Sequence, residues 1–528
     1  MEPNTASSAA VQTDVRLAEL MVALSLATDL GMGQPLEFAL SSCVLAVRLG
    51  EALGLSDEAL REIYYQALLR YIGCNVDTHL LAAIVGDEMA LRADFATIDN
   101  GKPVEIVSLF LRYIRQTNAG APPFEMLRAM AQGLLNMSQA KASFAGHCEV
   151  AQRLAERMGF AGNIVYALGQ LYERWDGKGA PKGLKGDAIA PAVLVVTLAQ
   201  DALIFQRLRG VEAAVAIARQ RKGSAYAPYI VECFCQHAAS LCRGLDAELT
   251  WDTVLALEPG RQERLSAAQF DVACQAMADF VDIKSVYTLG HSPGVAVLAA
   301  AAAQRAGLPP ADVVALRRAG LLHDLGRTGV STGIWDKSGP LSEREWEKVR
   351  LHPYYTERIL ARPASLAQLG TLAGLHHERL DGSGYHRGLL AAMLSPAARI
   401  LAAADVYQAL TEPRPHRPAF SIEAAIAEIR REMQAGRLDS EAVNCVLAAA
   451  GHRVAPSRRE QVGGLSEREV EVLRLLARGH STKQIAAALV ISPKTADHHI
   501  QHIYTKIGVS TRAGATLFAL EHNLLTEK

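Results

Sequence analysis

Five histidines and two aspartates in the C-terminal half stand where packing alone would not put them. They are His291 in Gly290-His291-Ser292, the neighbours His323-Asp324 after Leu321-Leu322, His352 before Pro353, the neighbours His376-His377, and Asp405 after three alanines. Imidazole nitrogens together with carboxylate oxygens suit divalent iron or manganese better than zinc, and two such cations a few ångströms apart can share one carboxylate and a hydroxide. Neighbours on a helix diverge by roughly 100°, so one cation can take His323 while Asp324 reaches across to bridge. His376-His377 poses the same geometry. A lone histidine is better explained as a packed or exposed side chain. An ordered set, missing from an otherwise similar stretch earlier in the chain, is better explained as a metal site.

Helices must position these groups. Alanine and leucine dominate, β-branched and aromatic residues are sparse, and apolar residues recur at three- and four-residue spacing, so the fold is expected to be all-α. Ser342-Glu343-Arg344-Glu345 is a capping box that starts a helix and puts His352 near its last turn. His376-His377 is expected to end a helix before the turn Asp381-Gly382-Ser383-Gly384. The earlier stretch is an internal repeat. At one offset Leu68-Leu69-Arg70-Tyr71 falls on Leu321-Leu322-His323-Asp324 and Phe38 on His291; at a second, His147 falls on His352, Leu171-Tyr172 on His376-His377 and Gln200 on Asp405. The first copy keeps the turns and loses nearly every ligand. It reads either as a duplicated scaffold or as a remodelled pocket for an effector, and neither reading predicts a metal there. Its long insertion, Asn75 to Gly146, is the place to look for a sensor.

The boundaries follow from these patterns. Residues 1–13 read as a disordered tail, 14–250 as the degenerate copy, 265–450 as the metal-bearing copy, 451–464 as a Pro/Gly/charge-rich linker and 465–528 as a separate small domain. A connector around Glu258-Pro259-Gly260 separates the copies. With 54 Lys and Arg against 55 Asp and Glu, any contact with nucleic acid needs a local patch. Eight scattered cysteines, no signal peptide and no membrane-length apolar run lead us to expect a soluble cytoplasmic protein with no membrane partner. Cys233-Phe234-Cys235 with His237 reads as buried thiols rather than a zinc site.

The second copy resembles an HD-GYP domain, a branch of the HD phosphohydrolases that hydrolyses c-di-GMP. The resemblance covers Lys284 to Arg417 and rests on Gly290-His291-Ser292, His323-Asp324, Lys337 with Pro340-Leu341, His352-Pro353, His376-His377-Glu378-Arg379, Asp381-Gly382-Ser383-Gly384-Tyr385, Asp405 and Arg414-Pro415-His416-Arg417. It implies a cofactor of two divalent metal ions. His291, His323, Asp324 and Asp405 would hold one, and Asp324 would bridge to a second held by His352, His376 and His377, with a bridging hydroxide attacking phosphorus. Asp324 and Arg327 would be catalytic; Lys337, Tyr385, Arg414 and Arg417 would meet the substrate. The chain departs from the family at His386, where Gly-Tyr-Pro ends, at Arg327, which replaces a lysine, and at Tyr287, where trinuclear members carry a glutamate; the last implies two metals rather than three.

From Leu465 the character changes. Ser466-Glu467-Arg468-Glu469 caps one helix, with Val470, Leu473 and Ala477 inward; Ser481-Thr482-Lys483-Gln484 starts a second; Ser492-Pro493 starts a third, ended by Gly508. In the third, Ala496, Ile500, Ile503 and Ile507 make a buried stripe, leaving Lys494, Asp497, His498, Gln501 and Thr505 outward. A fourth helix is expected to turn Ala513, Leu517, Leu520 and Leu524 inward. Two short helices, a turn and an outward polar face suit the major groove. The segment resembles the LuxR-type helix-turn-helix through Leu465-Ser466-Glu467-Arg468-Glu469-Val470, Gly479-His480-Ser481-Thr482-Lys483-Gln484, Ile491-Ser492-Pro493-Lys494-Thr495-Ala496 and Lys506-Ile507-Gly508-Val509-Ser510-Thr511-Arg512. That resemblance implies Lys483, Lys494, Thr495, Lys506 and Arg512 at phosphates, Asp497, His498 and Gln501 at base edges of double-stranded DNA, and a homodimer. The sequence thus predicts two HD-type helical domains in tandem plus a four-helix DNA-binding domain. The expected function is transcription regulation coupled to a metal-dependent phosphodiesterase acting on c-di-GMP or a related nucleotide; the alternative is a metal- and nucleotide-binding sensor without turnover.

Overall fold

Each half begins with a short strand that runs straight into a buried helix. Gln12–Arg16 enters Leu17–Gly31, and Arg264–Ser266 enters Ala267–Asp282. The two strands pair antiparallel, Gln12 opposite Ser266 and Arg16 opposite Arg264. They form a two-stranded sheet, and the other named elements among the described residues are helices. The computed structural model describes residues 12–117, 122, 124, 140–245, 251–362, 364–453, 465–522 and 524–525. The expected tail therefore ends earlier than composition suggested, because Gln12 and Thr13 are strand. Most of that tail, and the linker from residue 454 to 464, lie outside the described residues.

The two halves repeat one backbone plan. Glu37 and Gly290, both with positive φ, precede the helices Phe38–Ala52 and His291–Arg305. Buried Asp29 accepts from the Ala39 amide, and Asp282 from the Ser292 amide at 2.9 Å. Two glycines hold the closest approach. A Cβ on Gly73 would lie 1.9 Å from the His147 carbonyl oxygen, and one on Gly326 would lie 2.0 Å from that of His352, so neither position tolerates a side chain. Glu173 accepts from the amides of Lys182, Gly183 and Leu184, and Glu378 from those of Arg387 and Leu389. Glu378, in the sequence motif, thus shapes the glycine-rich turn. The Tyr385–His386 peptide of that turn is cis, as is Ala180–Pro181 at the matching step.

The two halves pack closely on each other. Residues 1–452 form one compact unit and residues 453–528 another. Helix Leu17–Gly31 packs on the turn Leu325–Gly329 and the helix His352–Ile359 of the second half, while Ala267–Asp282 packs on Ala140–Arg157 of the first. Leu17–Gly31 is buried on nearly every face, while Ala267–Asp282 buries one broad apolar face and leaves Gln269 and Val272 exposed. Leu17, Leu24, Phe280, Leu322, Leu325 and Ile359 therefore share one core. The connector is pinned as well, since buried Glu258 accepts from Tyr65 Oη at 2.6 Å and pairs with Arg16 at 2.5 Å. Among the described residues one helix, Pro191–Arg209, is long and apolar enough to cross a membrane, and 67% of its apolar window is buried inside the fold. Cys233 and Cys235 are half-buried rather than buried.

Candidate active site

Four helix ends and one helix middle bring the seven ligand candidates together. His291 opens its helix behind Gly290. The helix Pro310–Leu322 stops one residue before His323, so Asp324 begins a 3₁₀ turn, Leu325–Gly329, and the pair straddles a helix end rather than sitting within a helix. The helix Glu343–Arg350 is capped by Ser342 and Glu345 as expected, but it breaks at Leu351, and His352 starts the next one. Pro353 in the first turn accounts for the break, since it has no amide to continue the ladder. His376 and His377 follow the helix Ala364–Ala373, and Asp405 lies inside Pro396–Thr411 among buried alanines small enough for close approach.

The donors face inward in two groups, His291, His323 and Asp324 in one and His352, His376 and His377 in the other. Asp324 lies between them. Its Oδ1 is 3.6 Å from the Nε2 of both His352 and His376; its Oδ2 is 3.5 Å from His323 Nε2 and 3.9 Å from His291 Nε2. Asp405 spans the groups too, with Oδ1 3.2 Å from His291 Nε2 and Oδ2 3.7 Å from His377 Nδ1.

These groups fit cations. His323, His352 and His376 each donate Nδ1–H to a carbonyl three residues earlier, Gly320, Val349 and Ala373, at 2.7, 2.6 and 2.7 Å. That fixes the tautomer and leaves a lone pair on every Nε2. His323 Nε2 is buried without a partner, and His352 Nε2 faces His376 Nε2 at 3.1 Å. Two buried lone pairs so opposed repel, unless a cation sits between them at the usual metal–nitrogen distance of about 2.1 Å. Burial depresses His352 to about 4 and His376 to about 3 and pushes His377 down, so these imidazoles are neutral ligands. Burial alone would raise Asp324 and Asp405. The facing histidines, with Arg327 at Asp324, override it and hold both carboxyls well below the usual carboxylate range. His291 is opposite. Burial lowers it, but hydrogen bonds to Asp405 and Glu412 win and raise it to about 9.

The surrounding residues sort differently from their sequence assignments. Arg327 lies beside Asp324 at 3.3 Å, and its guanidinium carbon sits over the Trp335 ring, 3.8 Å from the centroid. Tyr385 packs on His377 with ring centroids 4.7 Å apart, walling the site. Lys337 is engaged with Glu345 at 2.7 Å, the same carboxylate that closes the helix cap. Arg414 donates to Glu412 Oε2 at 3.0 Å and to the Tyr287 carbonyl at 3.3 Å, so it braces the acid that holds His291. Arg417, expected at a substrate phosphate, instead gives its N–H groups to the carbonyls of Ala409, Leu410, Glu412 and Pro418 and stacks on Phe420. Loop carbonyls left unpaired cost more than a solvated guanidinium gains, which explains the reassignment. Sequence reasoning missed Glu412, whose Oε2 is 2.8 Å from His291 Nδ1. Its signal was its place two helical turns after Asp405, on the same face.

In the first half the same turns hold other chemistry. His147 is kept, with Nε2 2.9 Å from Asp77 Oδ1 and Nδ1 3.0 Å from Tyr172 Oη, which is in turn 3.3 Å from Cys74 Sγ. Arg207 lies over the Phe38 ring where Glu412 meets His291 in the second half. Among the described residues, only the second half assembles groups able to hold a metal.

The tail, residues 465–525, is built as its caps predict. Glu467–Ala477 and Thr482–Leu489 start with capping boxes, and Pro493–Ile507 starts at Ser492 and ends on Gly508 with φ 68°. Ala496, Ile500 and Ile503 are buried, while Lys483, Lys494, Thr495, Asp497, His498 and Gln501 are exposed. Lys506 is paired to Glu469 at 2.6 Å, inside the first cap. Arg512 donates to the carbonyls of Leu476 and His480, closing the end of the first helix, so it is a structural tie rather than a free phosphate contact. Arg512→Ala is expected to lower the tail's stability by about 1–2 kcal/mol while leaving the salt dependence of DNA binding unchanged, as thermal melts and titrations will show. The fourth helix, Arg512–Glu521, buries Ala515 and Ala519 and leaves Leu517 and Leu520 each 56% exposed, the reverse of the expected face. It has apolar residues all round, and only alanines allow it to lie close against Glu467–Ala477.

Comparison with known proteins agrees with this geometry. The HD domain family matches residues 119–229 and 275–442, touching both halves, and the family of bacterial regulatory proteins of the luxR type matches residues 464–519. A 3'3'-cGAMP-specific phosphodiesterase, number 3 of Vibrio cholerae, is 32% identical over 421 residues, covering 79% of this chain and 91% of that protein. The crystal structure of a cyclic GMP-AMP-specific phosphodiesterase of V. cholerae superposes with a TM-score of 0.57 at 29% identity, over 83% of this chain and 98% of that one. A cyclic di-GMP phosphodiesterase of Pseudomonas aeruginosa is 36% identical over 166 residues, 31% of this chain and 40% of that protein.

Proposed function

Because this chain belongs to the HD domain family, among the HD-GYP phosphodiesterases, and ends in a luxR-type helix-turn-helix, we propose that its second half hydrolyses a guanine-containing 3'3'-cyclic dinucleotide and that occupancy of this site changes DNA binding by the tail. The observation that carries the reading is Asp324, whose two oxygens face two separate buried histidine groups. His291, His323, Asp324 and Asp405 would hold one divalent cation and His352, His376 and His377 the other. The pair would supply activated water and offset the charge of a phosphodiester. The protein's own groups do the rest. Asp324 stays ionised throughout the physiological range, because its depressed carboxyl binds no proton there. Glu412 and Arg414 fix the His291 ring. Arg327, seated over Trp335, would present its outer N–H groups as a planar fork to a phosphate oxygen.

Full-length protein incubated with 3'3'-cGAMP and with c-di-GMP is expected to release linear dinucleotide from at least one. A metal-loaded protein that cleaves neither would instead support a sensor without turnover, the reading that the Gly384-Tyr385-His386 sequence favours. Against that reading, Glu378 still pins the turn and Tyr385 still packs on His377.

For the tail, the exposed row Lys494, Asp497, His498 and Gln501 supports major-groove reading, with Lys483 and Lys494 at phosphates. Lys494→Ala is expected to weaken binding uniformly across sequences and to reduce the slope of log K against log salt by about 1. An unaltered slope in fluorescence-anisotropy titrations would remove Lys494 from the phosphate contacts. Exposed Leu517 and Leu520 support a homodimer through the fourth helix.

A further inference from the structure

Glu88 opens the helix Glu88–Phe95 in the first half's insertion, yet its carboxylate ends in the second half. The side chain is wholly buried. Oε1 accepts from Lys284 Nζ at 3.1 Å and from the Thr332 amide at 2.8 Å, and Oε2 accepts from Ser331 Oγ at 2.6 Å. The neighbouring backbone is tight too, for a Cβ on Gly333 would lie 2.4 Å from the Gly86 carbonyl oxygen. These three partners lead to the site by two routes. Ser331 and Thr332 begin the single-turn helix Thr332–Trp335; Trp335 packs edge-on against His352 at 5.4 Å, lies under Arg327, and donates Nε1–H to the Arg327 carbonyl at 3.3 Å. Lys284 stands in the segment between Asp282 and His291. One turn on from Glu88, on the same helix, Arg92 points back into the first half, donating to Asp77 Oδ1 at 3.3 Å, Thr78 Oγ1 at 3.2 Å and the Cys74 carbonyl. The helix thus carries a buried acid into one half and a buried base into the other.

We propose that Glu88, contributed by the half that lacks metal ligands, is a positioning residue for hydrolysis at the metal centre of the other half, holding the Trp335 platform on which Arg327 is aimed at the substrate phosphate. This rests on the phosphodiesterase reading above. Glu88 touches neither substrate nor metal ligand, and of its two routes to the site the one through Trp335 to Arg327 is assigned the effect. That separates positioning from simple stability, because two residues acting through one contact are non-additive.

The test is a double-mutant cycle in the full-length metal-loaded protein, with kcat/KM on the cyclic dinucleotide and metal content measured for each variant. Glu88→Ala is expected to lower kcat/KM by about tenfold or more with metal content unchanged, and by less than about twofold when added to Arg327→Ala. Glu88→Gln, which keeps one acceptor oxygen for the Thr332 amide and Lys284 and can turn its own N–H toward Ser331 Oγ, is expected to recover much of the loss, and it carries the cycle if the alanine variant does not fold. Losses that multiply, or no loss at all, would overturn the proposal. Amide hydrogen exchange at residues 331–335 separates its failure from failure of the enzymatic reading. If the wild type turns nothing over, faster exchange there in Glu88→Ala, with exchange at 366–373 unchanged, still supports the positioning contact, and unchanged exchange at 331–335 overturns it.

Discussion

Combining His323→Ala with Asp324→Ala is expected to abolish hydrolysis and strip the metal, while the tail still binds DNA. Loss of an outer-sphere partner of a metal ligand typically costs 10- to 100-fold, and this variant removes a ligand and the carboxylate that faces both groups, so the loss should exceed about 100-fold. Asp324→Asn alone tests the bridging role. An amide keeps the volume but offers one oxygen in place of two anionic ones, so it can serve one group at most. His352 and His376 face each other at 3.1 Å, and Asp324 Oδ1 lies 3.6 Å from the Nε2 of each, the carboxylate placed to balance a cation between them. Metal analysis and turnover of the two variants check this together. Unchanged turnover in the double variant would dismiss the site, and loss of DNA binding with it would indicate a folding defect instead.

Gly326→Ala is expected to be nearly as damaging, though Gly326 is not itself a ligand candidate. An added Cβ would lie 2.0 Å from the His352 carbonyl oxygen and 2.6 Å from the Thr356 amide nitrogen, both backbone atoms that cannot rotate away. The turn must therefore move off the helix that carries His352. Overpacking costs typically about 1–3 kcal/mol, and a backbone-to-backbone clash belongs at the upper end. The same shift breaks the hydrogen bond from the Gly326 amide to Thr356 Oγ1 at 2.9 Å and the one from Thr356 Oγ1 to the His323 carbonyl at 2.8 Å, so the two histidine groups part. A lower denaturation midpoint with reduced metal content is the expected result. Gly339→Ala, where nothing lies within 4 Å of the added carbon, serves as the neutral control.

Much of this was legible in the sequence for local reasons. Ser342, Ser466 and Ser481 form their capping boxes because the partner lies three residues away whatever the rest of the chain does. The ligand set stood out because histidines and aspartates among leucines and alanines have no packing role. The matching glycines Gly73 and Gly326 made the repeat visible because each is demanded by the same close approach. What the sequence concealed depends on distant partners. The strand Gln12–Arg16 finds its mate some 250 residues on, and a short polar stretch carries no mark of that pairing. Arg417 and Arg512 look like phosphate ligands because a guanidinium reads the same whether it meets a phosphate or a carbonyl; only the fold shows the carbonyls. Glu88 appears as one more surface acid of an insertion, since nothing beside it in sequence announces Lys284. The four- and three-residue spacing of Ala513, Leu517, Leu520 and Leu524 points Leu517 and Leu520 inward, whereas close packing buries Ala515 and Ala519 instead.

The proposed function rests on one cation in each ligand group and on hydrolysis of a cyclic dinucleotide by the pair. Metal analysis of the full-length protein purified anaerobically, with hydrolysis of 3'3'-cGAMP and c-di-GMP measured on the same sample, tests it most directly. The expected result is about two divalent ions per chain, with turnover that disappears on chelation and returns when iron or manganese is restored. Protein that holds no metal, or hydrolysis that survives complete removal of metal, would contradict it.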